Sequence, residues 1–356
     1  MSTDFSAAGP GRRAVLGWLG GAAVAGAVAG TVVPGQRALA AAGRSRSAAG
    51  RVGAPPDRAL PALAAAGRQF LAGRLRHTTV LQSFVFDERR GHVYALQVVA
   101  GGVRLAGERA AVSHAARVRR GDLCLNRLQL DGSPAGYMYL KGFGHGGSIG
   151  LEESWDGVTL WTEWDANPAS GYGRGLCRFR FTDGRVLSRT AAGLRTYRPL
   201  TGSTSNSPAV DPVHRRLLLR YKRRGVPHFA LHDLDRFRAG WFRPLITFAQ
   251  PGAHLGLPFQ GMALHGISAY QLLGSAYGVG NPPSSGGNAR LYRIDLRTGR
   301  AVWQQIDRTA AELVPREPEG LAVWRGGEAG LPRLCLGFTE GPAGGRSFRL
   351  YEKALN

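Results

Sequence analysis

A pattern of five residues occurs five times in this sequence of 356 residues. Each copy consists of a polar residue, a small residue and a short apolar run, and glycine replaces the polar residue in the second copy. The copies begin at Gln82, Gly147, Asn206, Gln260 and Glu319, so their starts are 65, 59, 54 and 59 residues apart. A spacing of this order between short apolar runs is typical of a repeat architecture.

Each copy is followed by a turn and a second apolar run, the arrangement expected of a β-hairpin. A third strand follows within each repeat, at 123–130, 176–181, 228–234, 290–296 and 347–351. Antiparallel sheets arranged around an axis form a β-propeller, which exposes only short edges. The repeats therefore predict an all-β fold, a five-bladed β-propeller over residues 77–356. A β-sandwich whose strands have this spacing by coincidence is the alternative.

The first 42 residues are predicted to be an export signal that takes no part in the fold. Arg12 and Arg13 precede a weakly hydrophobic stretch over 14–33, and Ala38-Leu39-Ala40 offers a small-x-small cleavage site. The paired arginines resemble a twin-arginine signal, so the protein is expected to be secreted or associated with the cell wall. An uncleaved membrane anchor is the alternative, because about 20 apolar residues can span a bilayer.

Residues 43–76 are predicted to form a flexible linker followed by a short helix. The stretch 41–57 contains only Ala, Gly, Ser, Arg, Val and Pro together with one Asp, a composition typical of a flexible spacer. Apolar residues then occur at positions 60, 63, 70, 71 and 75, which suits one amphipathic helix over 60–75.

The chain is strongly basic, with a net charge of +22 from 46 Lys and Arg against 24 Asp and Glu. This excess favours an anionic partner: nucleic acid, an anionic membrane or an anionic wall polymer. No nucleic-acid-binding motif is recognisable, and export also argues against nucleic acid. Cys124, Cys177 and Cys335 lie within strand patterns, lack the spacing of a zinc site, and are predicted to be buried free thiols. No metal or other cofactor is predicted.

The repeat places a candidate binding site at one mouth of the propeller's central channel. The first strand of each blade lines that channel, so the five initial residues of the pattern are expected to form one ring. The ends of the antiparallel second strands lie beside it. His145 lies in the glycine-rich run 141–147, and glycines allow close approach of a ligand. The predicted ligand-binding residues are Gln82, His145, Trp161, Asn206, Arg220, Lys222, Gln260 and Glu319.

Two alternatives apply to this ring. The polar residues could only form hydrogen bonds to neighbouring blades, without contacting a ligand. The mouth could instead be a catalytic site, because a glycosidase needs two carboxylates flanking the bond it cleaves. Glu163 and Glu319 are the candidate catalytic pair for that hypothesis.

Three segments resemble a known family: residues 141–150, the run Leu160-Trp161-Thr162-Glu163, and the run Pro318-Glu319-Gly320-Leu321. They are similar to the propeller shared by staphylococcal phage receptor-binding proteins and the protein called teichoic acid biosynthesis protein C. The resemblance covers about residues 77–356. It implies a five-bladed propeller, and it implies binding of wall teichoic acid, as in the phage members of the family.

Three functions follow from these observations. The first is an exported binding module for an anionic cell-wall glycopolymer, with Arg side chains holding phosphates and aromatic side chains holding sugars. The second is a hydrolase of such a polymer. The third is an exported propeller that serves as a scaffold for other proteins.

The export hypothesis predicts that replacing both Arg12 and Arg13 by Lys leaves the precursor inside the cell, because a twin-arginine signal requires the arginine pair. Immunoblots of cell and culture fractions measure the distribution. Export of the variant at the unmodified level would contradict this route.

Overall fold

The computed structural model describes residues 60–327 and 330–355. The predicted export signal at 1–42 and the first part of the linker, 43–59, lie outside the described residues. The described chain begins with a short helix and one strand, and the rest is dominated by β-strands. These first elements are α1 (Leu60–Ala64) and β1 (Arg68–Gly73).

Blades one to three occupy the next part of the chain. Blade one contains β2 (Leu81–Asp87), β3 (His92–Val98), α2 (His114–Arg120), β4 (Leu123–Gln129) and β5 (Pro134–Lys141). Blade two contains β6 (Gly150–Ser154), β7 (Gly157–Ala166), β8 (Gly173–Phe179) and β10 (Arg195–Tyr197). Strand β9 (Val186–Ser188) lies between β8 and β10 in the chain but pairs in parallel with β5 at the edge of the blade-one sheet. Blade three contains β11 (Ser203–Asp211), β12 (Arg216–Arg223), β13 (Val226–Asp233), α3 (Leu234–Arg238) and β14 (Ile246–Ala249).

Blades four and five complete the propeller. Blade four contains β15 (Phe259–His265), β16 (Ser268–Leu273), β17 (Arg290–Asp295) and β18 (Arg300–Ile306). Blade five contains β19 (Pro315–Trp324), β20 (Arg333–Glu340) and β21 (Ser347–Ala354). Two single turns of 3₁₀ helix, Ala253–Leu255 and Pro283–Ser285, lie in connections. The described residues thus form five sheets, which confirms the predicted all-β five-bladed propeller.

The fifth sheet is completed by the strand at the start of the described chain. β1 pairs antiparallel with β21, from Arg68 opposite Glu352 to Gly73 opposite Phe348, and it is the outermost strand of blade five. The prediction of a single helix over 60–75 is therefore wrong beyond Ala64. Tertiary pairing decides the outcome, because this short segment is the fourth strand that blade five otherwise lacks. The propeller consequently includes residues ahead of its predicted start at 77.

The innermost strands β2, β6, β11, β15 and β19 contact one another in that cyclic order, and β19 contacts β2. The small second residue of the repeated pattern lies at these contacts. Ser83 Oγ donates to the Gly146 carbonyl at 2.6 Å, and Ser148 Oγ donates to the Pro208 carbonyl at 2.7 Å. A Cβ atom on Gly261 would lie 2.7 Å from the backbone nitrogen of Leu321. Close packing of neighbouring strands therefore accounts for the small residue.

The middle of the channel is apolar, and its far end is closed by polar contacts between blades. Side chains such as Ile149, Met262 and Leu321 line a central cavity. Beyond them, Arg325 of blade five reaches Asp211 of blade three, with 3.3 Å between Nη2 and Oδ1. The other Asp211 oxygen accepts the backbone N–H of Gly266 at 3.1 Å.

Apolar clusters fill the spaces between adjacent sheets. Cys124, Cys177 and Cys335 are all buried free thiols, as predicted. The first helix joins this core at blade five, where Leu63 is fully buried and the Leu63 carbonyl accepts the ammonium group of Lys353 at 3.1 Å. Lys353 also forms a buried ion pair with Asp307 at 2.7 Å.

These contacts predict different outcomes for two truncations. A chain that starts at residue 57 retains α1 and β1 and should unfold at the same urea concentration as one that starts at 43. A chain that starts at 75 loses the buried side chains of Leu63 and Leu71, each worth about 1.5–3 kcal/mol. Its free energy of unfolding should fall by at least about 3 kcal/mol. Equal urea midpoints for all three chains would show that β1 does not hold blade five closed.

Candidate functional site

Four of the five initial residues of the pattern lie at β-bulges. The pairing register with the second strand shifts around Gln82, Asn206, Gln260 and Glu319. Gly147, the fifth, lies just before β6. A bulge leaves one residue out of the ladder and redirects its side chain, and bulges are common beside functional sites. The sequence pattern therefore marks a ring of irregular strand starts at one end of the propeller.

Asn206 is one correction to the sequence interpretation. It is fully buried, its amide donates to the Gly173 carbonyl of blade two at 3.2 Å, and its side-chain oxygen accepts Ser203 Oγ at 3.2 Å. The alternative role, a hydrogen bond to the neighbouring blade, applies to this residue. The Gln260 amide donates to the Gly274 carbonyl of its own blade at 2.8 Å. The side-chain amide of Gln82 has no protein partner among the described residues.

Trp161 is a second correction, because its side chain is fully buried between blades two and three. The Trp161 ring stacks on Tyr197 with 5.1 Å between centroids, and its Nε1 donates to Glu152 at 2.7 Å. A tryptophan without exposed surface cannot stack on a sugar. This aromatic residue is part of the core.

Glu163 is buried and holds the glycine-rich loop against the mouth. Its Oε1 accepts the backbone N–H groups of Gly146 at 2.5 Å and Gly147 at 3.3 Å, and its Oε2 accepts Gly173 at 2.5 Å. A Cβ atom on Gly144 would lie 2.3 Å from the Glu163 side chain, so glycine is required there. Burial raises the pKa of Glu163, and the backbone donors oppose that rise. This carboxylate positions the loop.

The loop held by Glu163 presents His145 beside Tyr172 of blade two. Their ring centroids are 4.7 Å apart, and Tyr172 keeps 37% of its surface exposed. Desolvation lowers the pKa of His145 to about 4, so the imidazole is neutral at neutral pH. The pKa of Tyr172 is raised by burial, and the charges of Glu163, Arg220 and Glu319 also act on it. Charged groups of blades two, three and five therefore all lie near enough to Tyr172 to influence its pKa.

Arg220 supplies a buried positive charge to the mouth, since only 5% of its surface is exposed. Its Nε donates to Gln250 Oε1 at 2.7 Å, and its guanidinium carbon lies 4.0 Å from the centroid of Phe259. Burial lowers the pKa of Arg220 to about 10, so the group remains charged at neutral pH. Within the described residues no carboxylate pairs with it, and its two terminal nitrogens have no protein acceptor. A buried charge without a counter-ion is costly and favours binding of an anion.

Lys222 shares one face of β12 with Arg220, as the alternation along a strand predicts. Burial lowers the pKa of Lys222, and the charge of Arg220 lowers it further. Tyr221 lies between them on the other face, where it stacks on His228 with centroids 5.6 Å apart. The two cations thus add to the positive potential on one side of the strand.

Glu319 differs from Glu163 because no hydrogen bond or ion pair to it is formed within the described residues. Burial raises its pKa well above the usual range, and the neighbouring charge of Glu317 raises it further. Because it has no protein partner in the described structure, this carboxyl group is free to form hydrogen bonds with a hydroxyl group. The two predicted catalytic residues are therefore in different states: one bonded to the backbone and one unpartnered.

Two residues of the mouth, Gln250 and Phe259, were not among the sequence candidates. Gln250 lies in the connection between blades three and four, which carries no repeated pattern. Phe259 immediately precedes Gln260, and an aromatic residue at the start of an apolar strand is normally predicted to be part of the hydrophobic core. Contact with Arg220 is the property that distinguishes both, and only the folded structure shows it.

The sequence profile described as the phage 5-bladed β-propeller receptor binding platform domain matches residues 80–352. This match covers more than half of the chain and coincides with the propeller. The chain belongs to this family. The resemblance inferred from the glycine-rich and Pro-Glu-Gly segments is thereby confirmed.

Two named proteins are similar to this chain over most of its length. The putative major teichoic acid biosynthesis protein C of Bacillus subtilis strain 168 is 28% identical over 282 residues, covering 78% of this chain and 60% of that protein. The tail fibre of Staphylococcus aureus phage P68 superposes with a TM-score of 0.62 at 19% identity, covering 81% of this chain and 52% of the fibre. This chain thus spans little more than half the length of either relative. Among its described residues, no helix is long and apolar enough to cross a membrane.

The bonding of Glu163 predicts that Glu163→Gln destabilises the protein. Each carboxylate oxygen accepts a backbone N–H, so the amide NH₂ faces a donor in either orientation. The free energy of unfolding should fall by about 1–3 kcal/mol, the usual cost of an unsatisfied buried group. Glu312→Gln, which removes the same charge from an exposed side chain, is the matched control in urea unfolding. Equal stability of the two variants would refute the anchoring role.

Proposed function

We propose that this protein is an exported binding module for an anionic, teichoic-acid-like cell-wall glycopolymer, which it holds at the channel mouth. The observation that carries the proposal is Arg220, a buried guanidinium with no carboxylate partner in the described structure. Its fixed orientation on Gln250 and Phe259 leaves two nitrogens for an oxyanion. A planar guanidinium matches phosphate with paired hydrogen bonds, which makes arginine a frequent phosphate ligand.

The other mouth residues supply what a sugar and phosphate polymer requires. Lys222 adds a second cation on the same face as Arg220. The exposed part of Tyr172 and the neutral ring of His145 offer surfaces for a sugar, while Gln82, Gln260 and the unpartnered Glu319 offer polar groups for hydroxyls. The site is therefore suited to recognise one repeating unit with its charge.

The relatives support the class of ligand and the location. The family is named for phage receptor binding and the Bacillus subtilis relative for teichoic acid biosynthesis, and both terms concern the bacterial surface. Such a polymer lies outside the cytoplasm, which agrees with the paired arginines of the predicted export signal. An extracellular or wall-associated location follows from this proposal.

The hydrolase hypothesis is less well supported by the geometry. A glycosidase must direct two carboxyl groups at the bond that breaks. Both oxygens of Glu163 accept backbone N–H groups, so this residue is unavailable for proton transfer without breaking the loop that forms the mouth. Binding accounts for the same residues without that conflict.

The test compares two double variants for binding to purified anionic wall polymer. Arg220→Gln with Lys222→Gln removes two charges at the mouth. Arg297→Gln with Arg300→Gln removes two from the exposed outer turn of blade four, where Arg297 is already paired with Asp295 at 2.7 Å. The first should weaken binding by about 1.5–3 kcal/mol and the second by less than about 1 kcal/mol. Affinity should also fall with added salt, since the attraction between the anionic polymer and the exposed charges of this basic protein is screened beyond about 8–10 Å.

The same binding measurement, made as retention of the protein on the purified wall polymer, also distinguishes binding from the hydrolase and scaffold hypotheses. Equal losses from the two double variants would mean that net charge alone causes binding, and the site at the mouth would be rejected. Release of sugar or glycerol phosphate during incubation would establish a hydrolase. Absence of retention for the unmodified protein would favour the scaffold hypothesis.

A further inference from the structure

A groove of about 700 Å³ lies on the outer wall of the propeller between blades two and three. Strands β7, β8 and β10 contribute to one side, and helix α3 contributes to the other. Among the described residues, its lining includes four arginines and one acidic residue, Asp235. A volume of this size is typical of small-ligand sites, which span about 300–1,000 Å³. The groove is therefore large enough for a charged ligand of the size of a sugar phosphate.

Two of the arginines lie directly opposite each other on neighbouring strands. Arg195 of β10 pairs with Arg178 of β8 in the antiparallel register. Side chains opposite each other in such a pair share one face, and like charges there are destabilising. Arg178 has a distant aromatic neighbour, Trp161, at 5.7 Å. Across the part of the chain that the structure describes, neither guanidinium has a hydrogen bond or an ion pair.

The other charges at the groove are already paired. Asp235 forms ion pairs with Arg215 and with Arg238, the latter at 3.6 Å. Arg180 pairs with Asp156 at 2.6 Å, outside the lining. No carboxylate of the groove is thus available to neutralise Arg178 and Arg195. The two unpaired cations form a fork that faces the open groove.

We infer that this groove binds a phosphate group between Arg178 and Arg195. The anion relieves the repulsion between the opposed guanidinium groups and accepts hydrogen bonds from both. Arginine provides such hydrogen bonds in pairs, with geometry that matches a phosphate.

This site is separate from the channel mouth. Arg178 lies near the end of β8 that is close to the turn at Asp156, whereas Arg220 lies at the opposite end of the propeller, near the starts of the innermost strands. The two sites share no residue. Loss of either therefore leaves the other in place, and failure of one proposal does not decide the other.

The experiment measures thermal unfolding and calorimetric binding of the full chain with inorganic phosphate, against chloride at equal ionic strength. The unmodified protein should gain stability with phosphate, because a ligand that binds the folded state raises its melting temperature. Because the channel mouth is itself proposed to bind phosphate, the comparison is made in proteins that already carry Arg220→Gln and Lys222→Gln. In that background, adding Arg178→Gln and Arg195→Gln should abolish the remaining gain, with affinity for phosphate reduced at least about tenfold. Arg297→Gln with Arg300→Gln, the control of equal charge, should keep it.

Two further measurements test whether the arginine pair binds phosphate or only stabilises the fold. Without phosphate, the Arg178 and Arg195 double variant should unfold at the same or a higher temperature than the unmodified protein, because the opposed charges are gone. The single variant Arg195→Gln, at an exposed position, should already weaken phosphate binding. Dimethyl phosphate distinguishes the source of the group: stabilisation by it indicates a phosphodiester of a polymer, and stabilisation by inorganic phosphate alone indicates a monoester.

Equal phosphate stabilisation of all three proteins would overturn the assignment. A large fall in melting temperature of the double variant without phosphate would also overturn it, because the arginine pair would then be a structural element.

Discussion

The close approach of the five innermost strands is the constraint on which the rest of the propeller depends. Where these strands meet, the second residue of the repeated pattern has room for no more than a hydroxymethyl group. In blades one and two that hydroxyl also satisfies a carbonyl of the next blade, in contacts that typically contribute about 1 kcal/mol each. In blades four and five glycine allows the backbones to touch directly. The ring closes only because all five positions are small.

The mouth of the channel depends on a second constraint, the carboxylate of Glu163. It gathers backbone N–H groups from two separate segments, the glycine-rich loop and the start of β8, and so brings His145 and Tyr172 together. A residue predicted as a catalytic acid thus determines the shape of the channel mouth. In the proposed binding function the mouth acts through positioned groups, with Arg220 as the charge that lacks a counter-ion.

The fold could be predicted from sequence because its determinant is local and repeated. The innermost three strands of each blade are apolar and end at clear turns, so their pattern is visible. The outermost strands were missed: β10 has three residues, β14 has four, and β18 is largely exposed, so none has a strong apolar pattern. β1 was mistaken for part of a helix because its pairing partner, β21, lies at the other end of the chain.

The site was predicted less well, for a related reason. Position in the repeat predicts which residues lie at one end of the channel, but it cannot show which of them keep an exposed surface. Trp161, Asn206 and Arg220 were all predicted to bind ligand. Trp161 and Asn206 are instead buried in contacts within the protein, whereas the lack of a counter-ion at Arg220 is visible only in the folded structure. Burial and partnership are tertiary properties, and neither follows from the spacing of the repeats.

The pairing of β1 with β21 has a consequence for the order of events during synthesis. Arg68 and Glu352, which meet in this sheet, are 284 residues apart in sequence. At about 5–20 residues per second, the ribosome needs roughly 15–60 s to make the partner of a strand that emerged first. During that interval blades one to four can form sequentially, while β1 has an unpaired edge and the ring remains open. Closure of the ring through blade five therefore has to wait until β21 has been synthesised.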